Sequence, residues 1–125
     1  AYGNIKKVAF FSPYYPTANA EVANFLSDYG YETKSDIALQ CPSWTSIAEV
    51  SEREVINTFK ALDGDDVDAI IQCGTNISAI RAAAAAELYL DKPVIAINTA
   101  TYWHALRANG FYEPVYGFGR LMSEF

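Results

Sequence analysis

Short apolar runs alternate along the chain with segments in which apolar residues recur every three or four positions. The runs at residues 7–12, 67–72 and 93–97 are mostly apolar, which is typical of strands buried on both faces of a sheet. Residues 31–40 also have the character of a strand. The pattern therefore predicts four β-strands.

The segments between and after these runs carry helix signals. Ser51 and Glu54 have the spacing of a capping box, Gly30, Gly64 and Gly110 stand where helices stop, and alanine, the strongest helix former, dominates the third segment. The predicted helices cover residues 17–29, 51–64, 77–90 and 102–109, with candidate caps for the last one at residues 98–101.

Strand and helix alternate four times, and parallel strands joined by helical crossovers are the physical solution to such an order. We expect an α/β fold with a four-stranded parallel sheet flanked by helices, built as a single domain over residues 1–125. The aromatic tail at residues 111–125 is expected to pack back onto this domain. Ligands of such sheets bind beyond the carboxyl ends of the strands.

Composition and charge narrow the function classes. Nine Lys and Arg residues against fifteen Asp and Glu residues give a net charge of -6, the wrong sign for binding a phosphate backbone. No apolar stretch is long enough for a membrane helix, and the first residues do not resemble a signal peptide. We therefore expect a cytoplasmic protein that binds neither nucleic acid nor membranes.

The cysteines and the single histidine bear on metal and redox chemistry. Two cysteines and one histidine without metal-ligand spacing do not predict a zinc site, and we expect no metal. In the cytoplasm both thiols would stay reduced.

Polar or reactive residues follow all four predicted strands. Cys73 stands between a buried strand and a helix start, whose dipole would lower the pKa of a thiol that takes a proton or attacks carbon. Gly74 lets a ligand approach the backbone, and Thr75 and Asn76 supply donors for a carboxylate. An inert cysteine with ordinary helix capping is the alternative. The other predicted binding residues at the strand ends are Ser12, Asn98 and Thr99.

Tyr14 is the second candidate for a catalytic role. It follows the first strand in a loop limited by two prolines, so its phenol could lie over the same opening, or it could simply cover apolar surface with Tyr15. We interpret Cys41 as a packing residue, and His104, inside a predicted helix, as a packing or hydrogen-bonding residue rather than a general base.

Five motifs spread over nearly the whole chain are familiar from a known family. They are VAFFSPY at residues 8–14, CGTN at 73–76, KPVI at 92–95 and, with greater specificity, YWHALR at 102–107 and YGFGRL at 116–121. In these motifs the chain resembles the aspartate/glutamate racemase superfamily, within the branch of maleate cis-trans isomerases and arylmalonate decarboxylases. The resemblance is to the carboxyl-terminal half of that family's two-half fold, each half being flavodoxin-like.

The resemblance implies cofactor-independent isomerisation, decarboxylation or racemisation of a small carboxylate or dicarboxylate, such as maleate or a substituted malonate. It gives Cys73 the role of proton donor or acceptor, Tyr14 a contact with the substrate, and Thr75 and Asn76 positions at a carboxylate-binding helix start. It also implies that one half is inactive without a second half-domain. That half could lie upstream in the same chain, in a separate chain, or in a second copy of this one.

Two alternatives stay open at the level of the sequence. Between Cys73 and residue 92 the chain is one residue longer than the usual pattern, and an alignment on Thr75 and Asn76 would place Gly74 at the catalytic position. The alternative function is a non-catalytic flavodoxin-like module that binds a carboxylate or serves in assembly.

Overall fold

Four strands and six helices make up the structure, a computed structural model that describes all 125 residues. The strands are β1 (Lys7–Ser12), β2 (Glu32–Ala38), β3 (Ala69–Gln72) and β4 (Val94–Ala96). The helices are α1 (Pro16–Asp28), α2 (Trp44–Ala48), α3 (Glu52–Leu62), α4 (Ile80–Leu90), α5 (Ile97–Ala108) and α6 (Arg120–Glu124). None of these helices has the length and apolarity that a crossing of the bilayer requires.

The strands form one sheet in the order β2-β1-β3-β4, and every neighbouring pair is parallel. The predicted α/β fold with a four-stranded parallel sheet is therefore confirmed. β1 lies between β2 and β3, with Phe11 opposite Ile37 on one side and Gln72 on the other. Because parallel strands end at the same edge of a sheet, the loops after β1 and β3 are neighbours.

The main core lies between one face of the sheet and the helices α3 and α4. Five of the six residues of β1 are buried, and the Phe11 ring meets Phe59 of α3 edge-on at 5.2 Å between ring centroids. The side chains of α4 in this core are alanines, which allow the helix to pack closely on the sheet. The alanine-rich segment is therefore a core helix.

Several predicted elements coincide with the structure. The first strand is confirmed at residues 7–12, and the Ser51–Glu54 capping box is formed at the start of α3. The short helices α2 and α6 were not predicted. Each has five residues, too few for an apolar period to stand out in a sequence.

Two predicted helix starts are wrong. α4 begins at Ile80 rather than residue 77, and α5 begins at Ile97 rather than residue 102. At α5 the chain turns into the helix directly from β4, with Ala96 as the N-cap residue and no capping side chain. Asn98 and Thr99 consequently lie inside the first turn of α5.

The tail packs back on the domain, as expected from its aromatic content. Leu121 and Met122 of α6 are buried. The nearly buried Glu87 of α4 joins three parts of the chain: its carboxylate accepts hydrogen bonds from Tyr2 Oη at 2.9 Å, from Val94 N at 3.2 Å and from Arg120 N at 2.7 Å. We refer to this group as the Glu87 cluster.

Candidate active site

The loops after β1 and β3 touch at the carboxyl edge of the sheet. The Cys73 N–H donates to the Phe11 carbonyl at 2.8 Å, which continues the strand pairing past the end of β3. A Cβ at Gly74, whose φ is +97°, would lie 2.5 Å from Pro13 Cδ and 3.7 Å from Tyr14 Cζ. The close approach expected of a ligand at Gly74 is thus made by the Pro13–Tyr14 loop, and only glycine permits it.

Three consecutive carbonyls of the loop that follows β3 are held by side chains. Gln72 donates from Nε2 to the Cys73 and Gly74 carbonyls, both at 2.7 Å. Asn98 donates from Nδ2 to the Thr75 carbonyl at 2.9 Å. The backbone of this loop is therefore fixed in one orientation.

The N–H groups that follow these carbonyls are free. All peptides of the chain are trans, and in a trans peptide the carbonyl and the next N–H point in opposite directions. Gln72 is fully buried, so the two carbonyls that it holds point toward the core. The Gly74 and Thr75 N–H groups therefore point away from the core. These two groups and the Asn76 N–H donate no hydrogen bond within the protein. Consecutive free N–H groups in a turn are suited to binding an anion.

The Cys73 thiol is partly buried at the start of this loop. Burial raises the pKa of Cys73 to about 11, because removal from water disfavours the thiolate. The expected lowering of this pKa by a helix dipole is wrong, since α4 begins only at Ile80 and a helix dipole acts within about one turn. At neutral pH Cys73 therefore carries its proton.

Tyr14 lies in a loop that is bonded to the segment after β2. Its carbonyl accepts from Gln40 N at 3.0 Å, and the Pro13 carbonyl accepts from Cys41 N at 2.9 Å. The half-buried ring packs against the core and lines a groove of about 520 Å³ that Cys41 and the exposed Trp44 also line. Tyr14 thus covers apolar surface and also lies beside Gly74.

Ser12 has no exposed surface and takes part in a hydrogen-bond relay behind Tyr14 that runs from the buried Ser12 and Asn19 to the exposed Asp36. Its hydroxyl accepts from Tyr14 N at 3.0 Å and donates to Asn19 Oδ1, whose amide in turn donates to Asp36 Oδ2 at 2.7 Å. In this chain Ser12 therefore holds the Tyr14 loop and is shielded from solvent. Asn19 was missed, although an amide on the apolar stripe of a helix was a visible signal.

The other predicted binding residues take different places. The Asn76 side chain donates to the Trp44 carbonyl at 2.8 Å and so ties the loop to α2, while Thr75 is exposed. Thr99 is buried, its hydroxyl has no partner, and it lines an apolar cavity of about 160 Å³. The Asn98 side chain thus reaches the loop that starts at Cys73 from α5, whereas the Asn76 side chain bonds from this loop outward to α2.

Residues outside this edge take no part in it. His104 lines an apolar groove of about 410 Å³ between α1 and α5, with the sheet as its floor. No three side chains of the metal-binding types His, Cys, Asp and Glu come together. The Cys73 loop itself borders none of the grooves and cavities of the chain, so the candidate site is an open surface rather than an enclosed pocket.

Comparison with known proteins assigns the chain to a family. The sequence profile of the arylmalonate decarboxylase family matches residues 2–122. The chain belongs to this family. The resemblance to this family inferred from the motifs is therefore confirmed.

Individual relatives agree with this assignment. The chain is 25% identical over 119 residues to the maleate isomerase of Pseudomonas putida KT2440, covering 94% of this chain and 48% of the relative. Over 120 residues it is 26% identical to the maleate isomerase of Nocardia farcinica, covering 95% and 48%. The chain thus spans about half the length of the curated relatives that it matches.

Solved structures of the family match the fold closely. The maleate isomerase Iso of Pseudomonas putida S16, solved with maleate in a cysteine-to-alanine variant, superposes with a TM-score of 0.89 at 28% identity, over 95% of this chain and 48% of that one. A liganded arylmalonate decarboxylase mutant, at 22% identity, matches in fold with a TM-score of 0.90 over 97% and 53%.

Proposed function

We propose that this chain forms one half of a cofactor-independent active site that acts on a small carboxylate or dicarboxylate, such as maleate or a substituted malonate. The observation that carries the proposal is the run of free N–H groups at Gly74, Thr75 and Asn76 directly after a protonated thiol. Membership of the arylmalonate decarboxylase family and the similarity to maleate isomerases support this substrate class.

The free N–H groups would hold the carboxylate of the substrate. Backbone donors that are already oriented need no reorganisation when charge develops next to the carboxylate, which makes them effective stabilisers of a carbanion-like transition state. They act locally, so the acidic net charge of the chain does not prevent binding.

Cys73 would transfer a proton to or from the carbon next to that carboxylate, or attack it as a thiolate. Its raised pKa supports the role of proton donor, since the resting group is the thiol. Tyr14, whose ring lies beside Gly74, would donate a hydrogen bond from its phenol to the bound substrate. Thr75 remains a proposed substrate-binding position and Asn98 acts through the loop that it holds, whereas the buried Thr99 lines a separate apolar cavity.

A second half-domain is required by this proposal. The open edge of the sheet supplies only one wall of a site, and the relatives are about twice as long. We propose that this chain corresponds to the carboxyl-terminal half, and that the second half decides whether the reaction is an isomerisation, a decarboxylation or a racemisation. A catalytic thiol must stay reduced, which is the state of thiols in a reducing location such as the cytoplasm.

The test is turnover by the full-length protein with maleate and with phenylmalonate as substrates. Replacing Cys73 with Ser should lower turnover at least about 10³-fold, because the proton donor is lost. The matched control is Cys41→Ser, which removes the other thiol and should leave turnover within about threefold of wild type. Unchanged turnover in the Cys73 variant would refute the thiol mechanism.

A non-catalytic carboxylate-binding module is the second candidate, and the open surface at the Cys73 loop, which borders none of the grooves and cavities, favours it. Such a module would bind maleate with the same affinity before and after Cys73→Ser and would turn over neither substrate.

A further inference from the structure

Gln72 occupies an unusual position at the end of β3. It is fully buried, and it lies opposite the core residue Phe11 in the register of the sheet. Its side chain bends back toward the loop that follows it, so that one amide nitrogen serves the carbonyls of both Cys73 and Gly74. No other side chain holds these two carbonyls, and the only further donor to either is the Ile77 N–H, which lies 3.4 Å from the Gly74 oxygen.

The other end of the same amide is unsatisfied. Gln72 Oε1 is buried and accepts no hydrogen bond. An unpaired buried oxygen destabilises a fold, and an apolar side chain of similar volume would avoid that cost. Core packing therefore does not explain a glutamine at this position, whereas the two bonds donated by Nε2 do.

We infer that Gln72 is a positioning residue that orients the anion-binding N–H groups of Gly74 and Thr75. The inference rests on the function proposed above. Because each peptide is planar and trans, the hydrogen bond to the Cys73 carbonyl sets the direction of the Gly74 N–H, and the bond to the Gly74 carbonyl sets that of the Thr75 N–H. Gln72 touches no substrate and acts through the backbone.

Gln72→Met tests this role, because methionine has a similar volume and no donor. In the full-length protein the variant should raise the KM for maleate and lower kcat, with a loss of at least about tenfold in kcat/KM, since the same N–H groups hold the carboxylate and stabilise the charge that develops beside it. The matched control is Thr58→Val, which removes another buried side-chain bond to a carbonyl, that of Thr58 to Glu54, at a distance from the loop. The control should leave both kinetic constants within about twofold of wild type.

A second measurement reports the orientation directly. Residual dipolar couplings of the Gly74 and Thr75 amides, measured by NMR, should change in Gln72→Met and stay as in wild type in Thr58→Val. Unchanged couplings, or an unchanged kcat/KM, would overturn the positioning role. Failure of the wild type to bind either maleate or phenylmalonate would instead overturn the proposed function, so the two failures are distinct.

If Gln72→Met does not fold, Gln72→Leu takes its place. Leucine has no donor for either carbonyl and buries no polar atom. It should produce the same loss in kcat/KM and the same change in couplings, and wild-type values for both would again overturn the role.

Discussion

Two polar groups buried in this chain, the carboxylate of Glu87 and the amide of Gln72, differ in whether their oxygens accept hydrogen bonds. Both Glu87 oxygens accept hydrogen bonds, and the donors come from the amino-terminal arm, from β4 and from the start of α6. The Gln72 oxygen is unpaired, and in the loop that follows it the Gly74 and Thr75 N–H groups donate no hydrogen bond within the protein. The Glu87 carboxylate thus joins three segments of the fold, whereas the loop that Gln72 holds keeps unpaired N–H groups, as the proposed carboxylate site requires.

Glycine serves both groups in the same manner. A Cβ at Gly119 would lie 2.8 Å from Glu87 Oε2, and a Cβ at Gly74 would lie 2.5 Å from Pro13 Cδ. Both residues also have a positive φ, which side chains disfavour. The difference between the two regions therefore lies in polar satisfaction and not in how tightly the chain is packed.

Removing the carboxylate of the Glu87 cluster should have the largest effect on stability. Glu87→Leu leaves the N–H groups of Val94 and Arg120 without their acceptor, and we expect the free energy of unfolding to fall by about 3 kcal/mol. Urea denaturation measures this change. The control Glu113→Ala alters an exposed acid and should stay within about 0.5 kcal/mol; a loss as small for Glu87→Leu would show that the cluster does not stabilise the fold.

Separating the two loops of the candidate site should affect activity more than stability. Gly74→Ala forces Pro13 and Tyr14 away from residue 74, and a displacement of about 1 Å in the site can cost about 100-fold in rate. Turnover by the full-length protein measures the loss. Gly30→Ala is the matched control, because Gly30 has a similar φ of +86° and no atom within 4 Å of an added Cβ. Equal activities of the two variants would contradict the arrangement.

The thiol of Cys73 should make the stability of the protein depend on pH. Its pKa is raised from the ordinary value of 9.0 to about 11, so the folded state holds the proton more tightly than the unfolded state. Stability is therefore fully present below pH 9 and is lost as the pH rises toward 11, by on the order of 2 kcal/mol.

The measurement compares the unfolding free energy of wild type and Cys73→Ser across this range, which cancels the titration of tyrosines and lysines. The serine variant should lack the additional loss above pH 9. Parallel curves for the two proteins would show that the thiol is more accessible to water than its burial indicates.

Removing the hydrogen bond that ties the loop after β3 to α2 should have the smallest effect on stability. Asn76→Ala removes one bond, 2.8 Å long, to the Trp44 carbonyl at an exposed position, and we expect a loss of about 0.5–1 kcal/mol in the unfolding free energy. The same variant should raise the KM for maleate less than Gln72→Met does, because the Asn76 side chain orients none of the free N–H groups. A larger rise in KM would move the positioning role from Gln72 to Asn76.

The sequence by itself determined the α/β class, the first strand, the capping box of α3 and the family, because each rests on local periods or contiguous motifs. It also identified Cys73 and its neighbours as candidates, since the end of a strand can be located from the residues around it. The partners that give them their properties were not visible in the chain order.

Only the tertiary structure decided what the residues at the edge do. Ser12 is buried and donates a hydrogen bond to Asn19, and Asn98 lies in the first turn of α5 and bonds to Thr75. The pKa of Cys73 is raised, whereas we expected it to be lowered. Each outcome depends on a contact between distant segments or on burial, and neither quantity is encoded in local spacing. Hydrogen bonds act over about 3 Å and desolvation depends on everything packed around a group, so both are properties of the assembled fold.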